Sequence, residues 1–258
     1  MSVAPKKHLG QHFLTSEDIA FDIANTLAST TAYKNILEIG PGMGMMTKYL
    51  KTSYPDHLLK VIELDEESVA FLDEKFPDLE VIFDDFLKIN INDIFNSEFA
   101  IIGNFPYNIS TQIIFSIIDN KELIPEMTGM FQKEVAERIC SGPNSKVYGI
   151  TSVLTQAFYD TEYLFSVSEK VFNPPPKVQS GVIRLTRKAT FPDCEIKKLF
   201  YLVKKSFNQR RKMLRKSLKS DFTDEQRTME IFTKRPENLS VEDFVGLVKL
   251  HVSNLNND

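Results

Sequence analysis

Gly103-Asn104-Phe105-Pro106-Tyr107-Asn108-Ile109-Ser110 follows the apolar run Phe99-Ala100-Ile101-Ile102 and precedes an amphipathic run that reaches Ile118. An apolar strand, then Gly, Asn and Pro at its carboxyl end, then a helix, is the place where open α/β sheets bind ligands. Asn104 offers an acceptor and a donor. Pro106 stiffens the backbone and leaves a carbonyl free, and Tyr107 offers a stacking face. That set suits a planar heterocycle with an exocyclic amine. The bland alternative is an ordinary Asn-Pro turn, and the rest of the chain has to choose between them.

Working outward toward the N-terminus, Asn35-Ile36-Leu37-Glu38-Ile39-Gly40 predicts a strand that ends in Pro41-Gly42-Met43-Gly44. Glycines at 40, 42 and 44 let the backbone bend tightly and approach a ligand beside the N-terminus of the next helix. The dinucleotide fingerprint needs glycine at 45, where this chain has Met45, so a nicotinamide cofactor is disfavoured. A second strand, Leu59 to Asp65, ends in acids, and such an acid holds a ribose diol in folds of this kind. Glu63 is the better choice because it sits nearer the apolar strand than Asp65. Residues 66–76 read as a helix. Leu79 to Phe83 reads as a third strand, followed by Asp84-Asp85, of which one carboxylate is a candidate partner for an adenine amine; solvated turn aspartates are the alternative.

Further along, a fifth strand is expected near Met127–Gln132, a helix over Ile150–Tyr159, and two closing strands at Leu164–Val167 and Gly181–Leu185 around Phe172-Asn173-Pro174-Pro175-Pro176-Lys177. The alternation predicts an α/β fold: a mostly parallel, Rossmann-like sheet with an antiparallel edge and helices on both faces. Before all this, Pro5 to Leu14 forms a basic, then aromatic leader. It reads as a frayed terminus, although its Gly-Gln-His-Phe-Leu end is too apolar for that alone.

The net charge of −4 hides an asymmetry. Residues 1–188 hold 17 Lys and Arg against 25 Asp and Glu, whereas residues 189–258 hold 14 against 10. The expected division is therefore a catalytic domain at 1–188 and a small, helical, basic domain at 189–258. Between Lys204 and Lys219 there are eight basic residues and no acidic one. Phe200, Val203, Phe207, Leu214 and Leu218 supply an apolar face, and Arg211, Arg215 and Lys219 line another at spacings of four. A solvated helix face is one reading; binding to a phosphate backbone is the other. Two cysteines without a CxxC point to a reducing compartment, the histidines lack metal-ligand spacing, and no apolar run approaches a membrane span. We therefore expect a cytoplasmic monomer without a metal.

With these residues assembled, the chain resembles the KsgA type of rRNA adenine dimethyltransferase, a group of class I S-adenosylmethionine-dependent methyltransferases. The pieces carrying the resemblance run in order from Leu9-Gly10-Gln11-His12-Phe13-Leu14 and Glu38-Ile39-Gly40-Pro41-Gly42 through Ile62-Glu63-Leu64-Asp65 and Asn104 to Ser110. Gln132-Lys133-Glu134-Val135, Phe172 to Val178 and Phe207-Asn208-Gln209-Arg210-Arg211-Lys212 complete the set. The resemblance implies that S-adenosylmethionine is held by His12, Leu14, Gly40, Glu63, Asp85 and Asn104, which turns the leader from a frayed tail into a lid. It implies that Asn104, Pro106 and Tyr107, with Phe172 on the opposite face of the base, act on the target adenine. It further implies that Arg210, Arg211, Lys212 and Arg215 bind RNA. His12 stands where relatives often carry Asn. The implied reaction is dimethylation of two adjacent adenines in the 3'-terminal hairpin of 16S rRNA, linked to small-subunit maturation. The rivals are a large-subunit rRNA methyltransferase of the macrolide-resistance type, a DNA adenine methyltransferase, and a non-catalytic rRNA-binding assembly factor.

Overall fold

A computed structural model describes residues 3–255 and divides the chain into two compact units. Met1–Glu137 with Asp160–Arg187 forms the first, and Arg138–Tyr159 with Lys188–Asp258 forms the second. Arg138–Tyr159, expected within the first domain, thus belongs to the second unit. The outer limits of the expected domains, residues 1–2 and 256–258, lie outside the described residues.

The first unit opens with β1 (Phe13–Leu14) and α1 (Glu17–Ala24), whose N-terminus is capped by the Ser16 side chain. Then β2 (Asn35–Ile39), α2 (Thr47–Ser53), β3 (Leu58–Glu63), α3 (Glu66–Lys75) and β4 (Glu80–Phe83) alternate. They are followed by β5 (Phe99–Asn104), α4 (Ser110–Asp119), β6 (Glu126–Gln132) and α5 (Lys133–Cys140). The next helix, α6 (Ile150–Gln156), lies in the second unit, and the sheet strands resume with β7 (Tyr159–Val167), β8 (Phe172–Asn173) and β9 (Ser180–Arg187). The expected helix over 150–159 therefore stops at Gln156, because Tyr159 already starts a strand.

Seven strands form one sheet in the order β4-β3-β2-β5-β6-β9-β7. β2, β3, β4, β5 and β6 run parallel, and β9 runs antiparallel to β6, which is the expected mixed sheet. The strand order reverses on either side of β2 and β5, so their carboxyl ends open a crevice. Central strands of parallel sheets are buried on both faces and read as continuous apolar runs. Here Ile36, Leu37, Ile101 and Ile102 are fully buried. The apolar face of α4, through Ile113, Ile114 and Ile117, is buried as completely.

The second unit is helical. α7 (Ile196–Phe207), α8 (Leu214–Ser217) and α9 (Val241–Leu255) bury Val203, Leu214, Leu218, Phe232, Phe244 and Leu247. Ser240 and Asp243 cap α9 reciprocally, with bonds of 3.0 and 3.1 Å. The basic stretch is not one helix: α7 ends at Phe207, residues 208–213 turn, and α8 lasts four residues. Arg211, Arg215 and Lys219 consequently do not share one helix face. Among the described residues no helix is long and apolar enough to cross a membrane.

Candidate active site

The crevice beyond β2, β3 and β5 is floored by the glycine loop and walled by the leader. Gly40 has φ of 67°, and a Cβ there would meet only Pro106 Cδ, in ordinary van der Waals contact at 3.9 Å, so that side of the backbone is not filled by packing. That gap is a cradle in which a ligand approaches bare backbone. Gly42 serves a different contact, since a Cβ there would lie 2.9 Å from the Phe13 ring. The leader thus closes on the glycine loop instead of fraying.

Glu63 ends β3 and lines the crevice with only 6% of its surface exposed. Its carboxylate accepts from the backbone N–H groups of Gly42 at 3.1 Å, Leu64 at 2.9 Å and Asp65 at 3.0 Å. Burial raises its pKa above the ordinary carboxylate value, and the three backbone bonds pull it back. Three of its roughly four acceptor positions are occupied, which leaves one for a ligand. Asp65 has other duties. It caps α3 at Glu67 N, accepts from Ser68 Oγ at 2.9 Å, and receives Lys6 Nζ and Gln11 Nε2 from the leader. Its burial opposes ionisation, yet the bonds from Lys6, Ser68 and Gln11 hold its pKa below the usual value.

Asp84 and Asp85 both line the crevice beyond β4. Asp85 is partly committed, accepting from Leu87 N at 3.0 Å and pairing with Lys88 at 3.1 Å. Asn104 ends β5, and its Nδ2 donates to the His12 carbonyl at 3.0 Å. The Pro106 carbonyl, expected free, accepts from Ile109 N at 3.2 Å and retains one lone pair. Tyr107 donates to or accepts from Ser180 Oγ at 2.5 Å. One face of its ring is stacked on the His12 imidazole, with centroids 5.6 Å apart and planes 29° from parallel.

His12 also hydrogen-bonds the Pro174 carbonyl through Nδ1 at 2.7 Å. Leu14 is buried and borders a second cavity, lined also by Glu38, Gly40, Met43 and Asn104. Phe172 is not brought to the crevice. It pairs with Leu14 across β1 and β8 and is 4% exposed in the core, so the expected stacking on a base is not available to it in this conformation.

Sequence reasoning missed Glu38 and the leader's anchor. Glu38 is fully buried and accepts from Thr47 Oγ1 at 2.6 Å; burial, with the nearby Glu63 charge, pushes its carboxyl up to about 8. The available signal was a lone acid inside Ile36-Leu37-Glu38-Ile39. Lys6 and Gln11 carried no such signal, because only the fold brings them to Asp65.

In the second unit, the part-exposed Arg210 is engaged locally, its Nη2 donating to the Lys146 carbonyl at 2.8 Å and lying 3.4 Å from that of Ser145. Arg211, Lys212 and Arg215 are exposed, and none has an ion-pair partner among the described residues.

A mostly parallel sheet of this order, with a glycine cradle after β2, an acid closing β3 and Asn-Phe-Pro-Tyr closing β5, defines a Rossmann-like methyltransferase. A family model described as ribosomal RNA adenine dimethylase matches residues 4–251, and the chain belongs to that family. A relative from Flavobacterium johnsoniae named ribosomal RNA small subunit methyltransferase A is 57% identical over 252 residues, covering 96% of this chain and 95% of its own. One of the same name from Cytophaga hutchinsonii is 53% identical over 252 residues, covering 96% and 97%. In fold the chain is similar to a dimethyladenosine transferase from Plasmodium falciparum, with a TM-score of 0.80 at 23% identity over 95% of this chain and 98% of that one. It is also similar to the 23S rRNA methyltransferase ErmE, with a TM-score of 0.71 at 23% identity over 92% and 99%.

Proposed function

We propose that this chain transfers methyl groups from S-adenosylmethionine to the exocyclic amines of adenines in small-subunit rRNA. The finer target is two adjacent adenines in the 3'-terminal hairpin of 16S rRNA, each methylated twice during subunit maturation. The observation that carries the reading is the Asn104-Phe105-Pro106-Tyr107 turn at the carboxyl end of β5, beside the open cradle at Gly40 and the buried Glu63. The small-subunit relatives at 57% and 53% identity favour this target over the large-subunit one.

The residues present fit the cofactor. Gly40 leaves room against bare backbone, Glu63 keeps one acceptor for a ribose hydroxyl, and Asp85 has carboxylate oxygens at the crevice for an adenine amine. His12 and Leu14 would enclose it from the leader side. When bound, the cofactor supplies a methyl group on a positively charged sulfur, which needs positioning more than activation. An adenine amine is a poor nucleophile because its lone pair is delocalised into the ring. Acceptors at its two hydrogens, Asn104 Oδ1 and the remaining lone pair of the Pro106 carbonyl, favour a pyramidal nitrogen and return that lone pair. Tyr107, which lines the crevice, offers the ring face turned away from His12 as a surface for the extruded base. No general base is required, since the proton becomes acidic once the nitrogen is alkylated.

Arg211, Lys212 and Arg215 are exposed cations available to phosphates, whereas Arg210 supports the loop around Ser145 and Lys146. A cytoplasmic location accords with an rRNA substrate. The test is transfer of labelled methyl groups to small-subunit particles from cells lacking this modification, with the product mapped by mass spectrometry. Two dimethylated neighbouring adenines are expected. Label confined to large-subunit RNA, or no label at all, refutes the reading.

A further inference from the structure

The Asn104 amide has two unlike ends, one accepting and one donating. A side chain free to turn over presents the wrong end to a substrate amine part of the time. In this fold a main-chain group distant in sequence removes that freedom: Asn104 Nδ2 donates to the His12 carbonyl at 3.0 Å. A carbonyl oxygen has no hydrogen to give, so only the NH2 end can face it, and Oδ1 is left on the other side. We propose that the His12 carbonyl is a positioning group for methyl transfer, and that closure of the leader over the crevice is what sets Asn104 Oδ1 as the acceptor for the substrate amine. The proposal rests on reading Asn104 as that acceptor.

The leader is held where this requires it. On its N-terminal side Lys6 Nζ pairs with Asp65, Gln11 Nε2 lies 3.3 Å from Asp65 Oδ2, and Gln11 Oε1 accepts from Lys6 N at 2.8 Å. Asp65 is itself 1% exposed and fixed as the cap of α3, so the anchor is rigid. On the other side the His12 ring bonds the Pro174 carbonyl, and Thr15 N and Oγ1 both donate to the Val171 carbonyl, at 2.8 and 2.9 Å. Between these anchors Gly10 has φ of 68°, and a Cβ there would lie 2.5 Å from Asn108 Oδ1. The leader backbone is therefore pressed against the same turn that carries Asn104, Pro106 and Tyr107.

Two variants of the full-length chain test the coupling from its two ends. Asn104→Asp keeps an acceptor for the amine but puts an oxygen against the His12 carbonyl, so the leader should lift. Trypsin cleavage after the exposed Lys7 then accelerates relative to wild type; an unchanged cleavage rate overturns the proposal. Lys6→Ala/Gln11→Ala releases the anchor and leaves Asn104 intact. With asparagine-selective 15N labelling, the Asn104 side-chain signal, assigned by its loss in Asn104→Asp, should shed its hydrogen-bonded proton shift in the double variant. Its kcat should fall roughly tenfold or more, the scale of a misplaced reacting group, while cofactor affinity by calorimetry changes less, and Lys6→Arg should retain activity. A double variant with full kcat, or one whose Asn104 signal is unaltered, overturns the proposal. If wild type itself leaves small-subunit particles unmethylated, the functional reading fails, and the proteolysis and resonance results still report on the leader–Asn104 bond.

Discussion

Gly129→Ala should damage both stability and catalysis, although Gly129 does not line the crevice. Gly103 and Gly129 stand opposite one another in register on β5 and β6, and the Phe105 ring lies across both. A Cβ on residue 129 would sit 2.3 Å from Phe105 Cε2 and 2.5 Å from the Gly103 carbonyl oxygen. Both distances are far inside van der Waals contact. Phe105 has little room to retreat, since it is 1% exposed and packs on Phe131 with centroids 5.0 Å apart. Overfilling a core costs about 1–3 kcal/mol, and the clash with a backbone atom puts this case near the top, at about 3 kcal/mol. At about 2–4 °C per kcal/mol for a chain of this size, Tm should fall by roughly 6–12 °C. Because Asn104 and Pro106 flank Phe105, methyl transfer should fall as well. Thermal unfolding followed by circular dichroism measures the first effect. Adding Phe105→Leu, which vacates part of the space, should recover some of the loss in a double-mutant cycle. A Tm indistinguishable from wild type refutes the packing argument, and strict additivity refutes the part assigned to Phe105.

The other expectations are simpler. Glu63→Gln loses a charged acceptor worth about 1.5–3 kcal/mol, so S-adenosylmethionine Kd should rise roughly 10- to 150-fold by calorimetry, and an unchanged Kd removes Glu63 from the site. Because burial holds the Glu63 carboxyl above its ordinary value, wild-type affinity should decline on acidification earlier than an exposed carboxylate would predict. Glu38, neutral in the fold up to about 8, contributes stability that is present below its unfolded value of about 4.5 and lost as pH rises toward 8. Glu38→Gln, which stays neutral, should therefore gain on wild type across that window in urea midpoints, and a pH-independent difference counts against the shift. Arg211→Ala/Arg215→Ala should reduce the salt slope of RNA binding by about 0.7–0.9 for each phosphate no longer neutralised. Arg210→Ala should instead lower Tm, because its guanidinium holds the Ser145 and Lys146 carbonyls; the reverse pattern would reassign the two sets.

The sheet was legible because a buried parallel sheet writes itself as short apolar runs, each punctuated at its carboxyl end. The runs read at Asn35 to Gly40, Leu59 to Asp65 and Phe99 to Ile102 fall, within two residues at each end, on the strands Asn35–Ile39, Leu58–Glu63 and Phe99–Asn104 for that reason. The extent of β7 was not legible, since Tyr159 to Tyr163 mixes acids with aromatics and half of the strand is only partly buried. The basic segment misled in a different way. Its spacings of four were real, but Gln209 to Met213 turns instead of continuing the helix, and Arg210 is drawn to carbonyls 64 and 65 residues earlier in the chain. Phe172 looked like a ring waiting for a base because its partner in the core, Leu14, is 158 residues away and pairing across that distance leaves no local trace.

The least legible feature, the attachment of the leader, ties the two halves of the site together. Glu63 and Asp65 are separated by one residue, and Glu63 Oε1 holds the backbone N–H groups of both Leu64 and Asp65. The acid proposed for the ribose therefore fixes the geometry of the acid that anchors Lys6 and Gln11. The anchored leader in turn carries the His12 carbonyl to Asn104. Weakening Glu63 should accordingly do more than weaken cofactor binding: it should loosen the leader even without cofactor. Faster trypsin cleavage after Lys7 in ligand-free Glu63→Gln than in ligand-free wild type would establish that link, and equal rates would show that the two acids act independently.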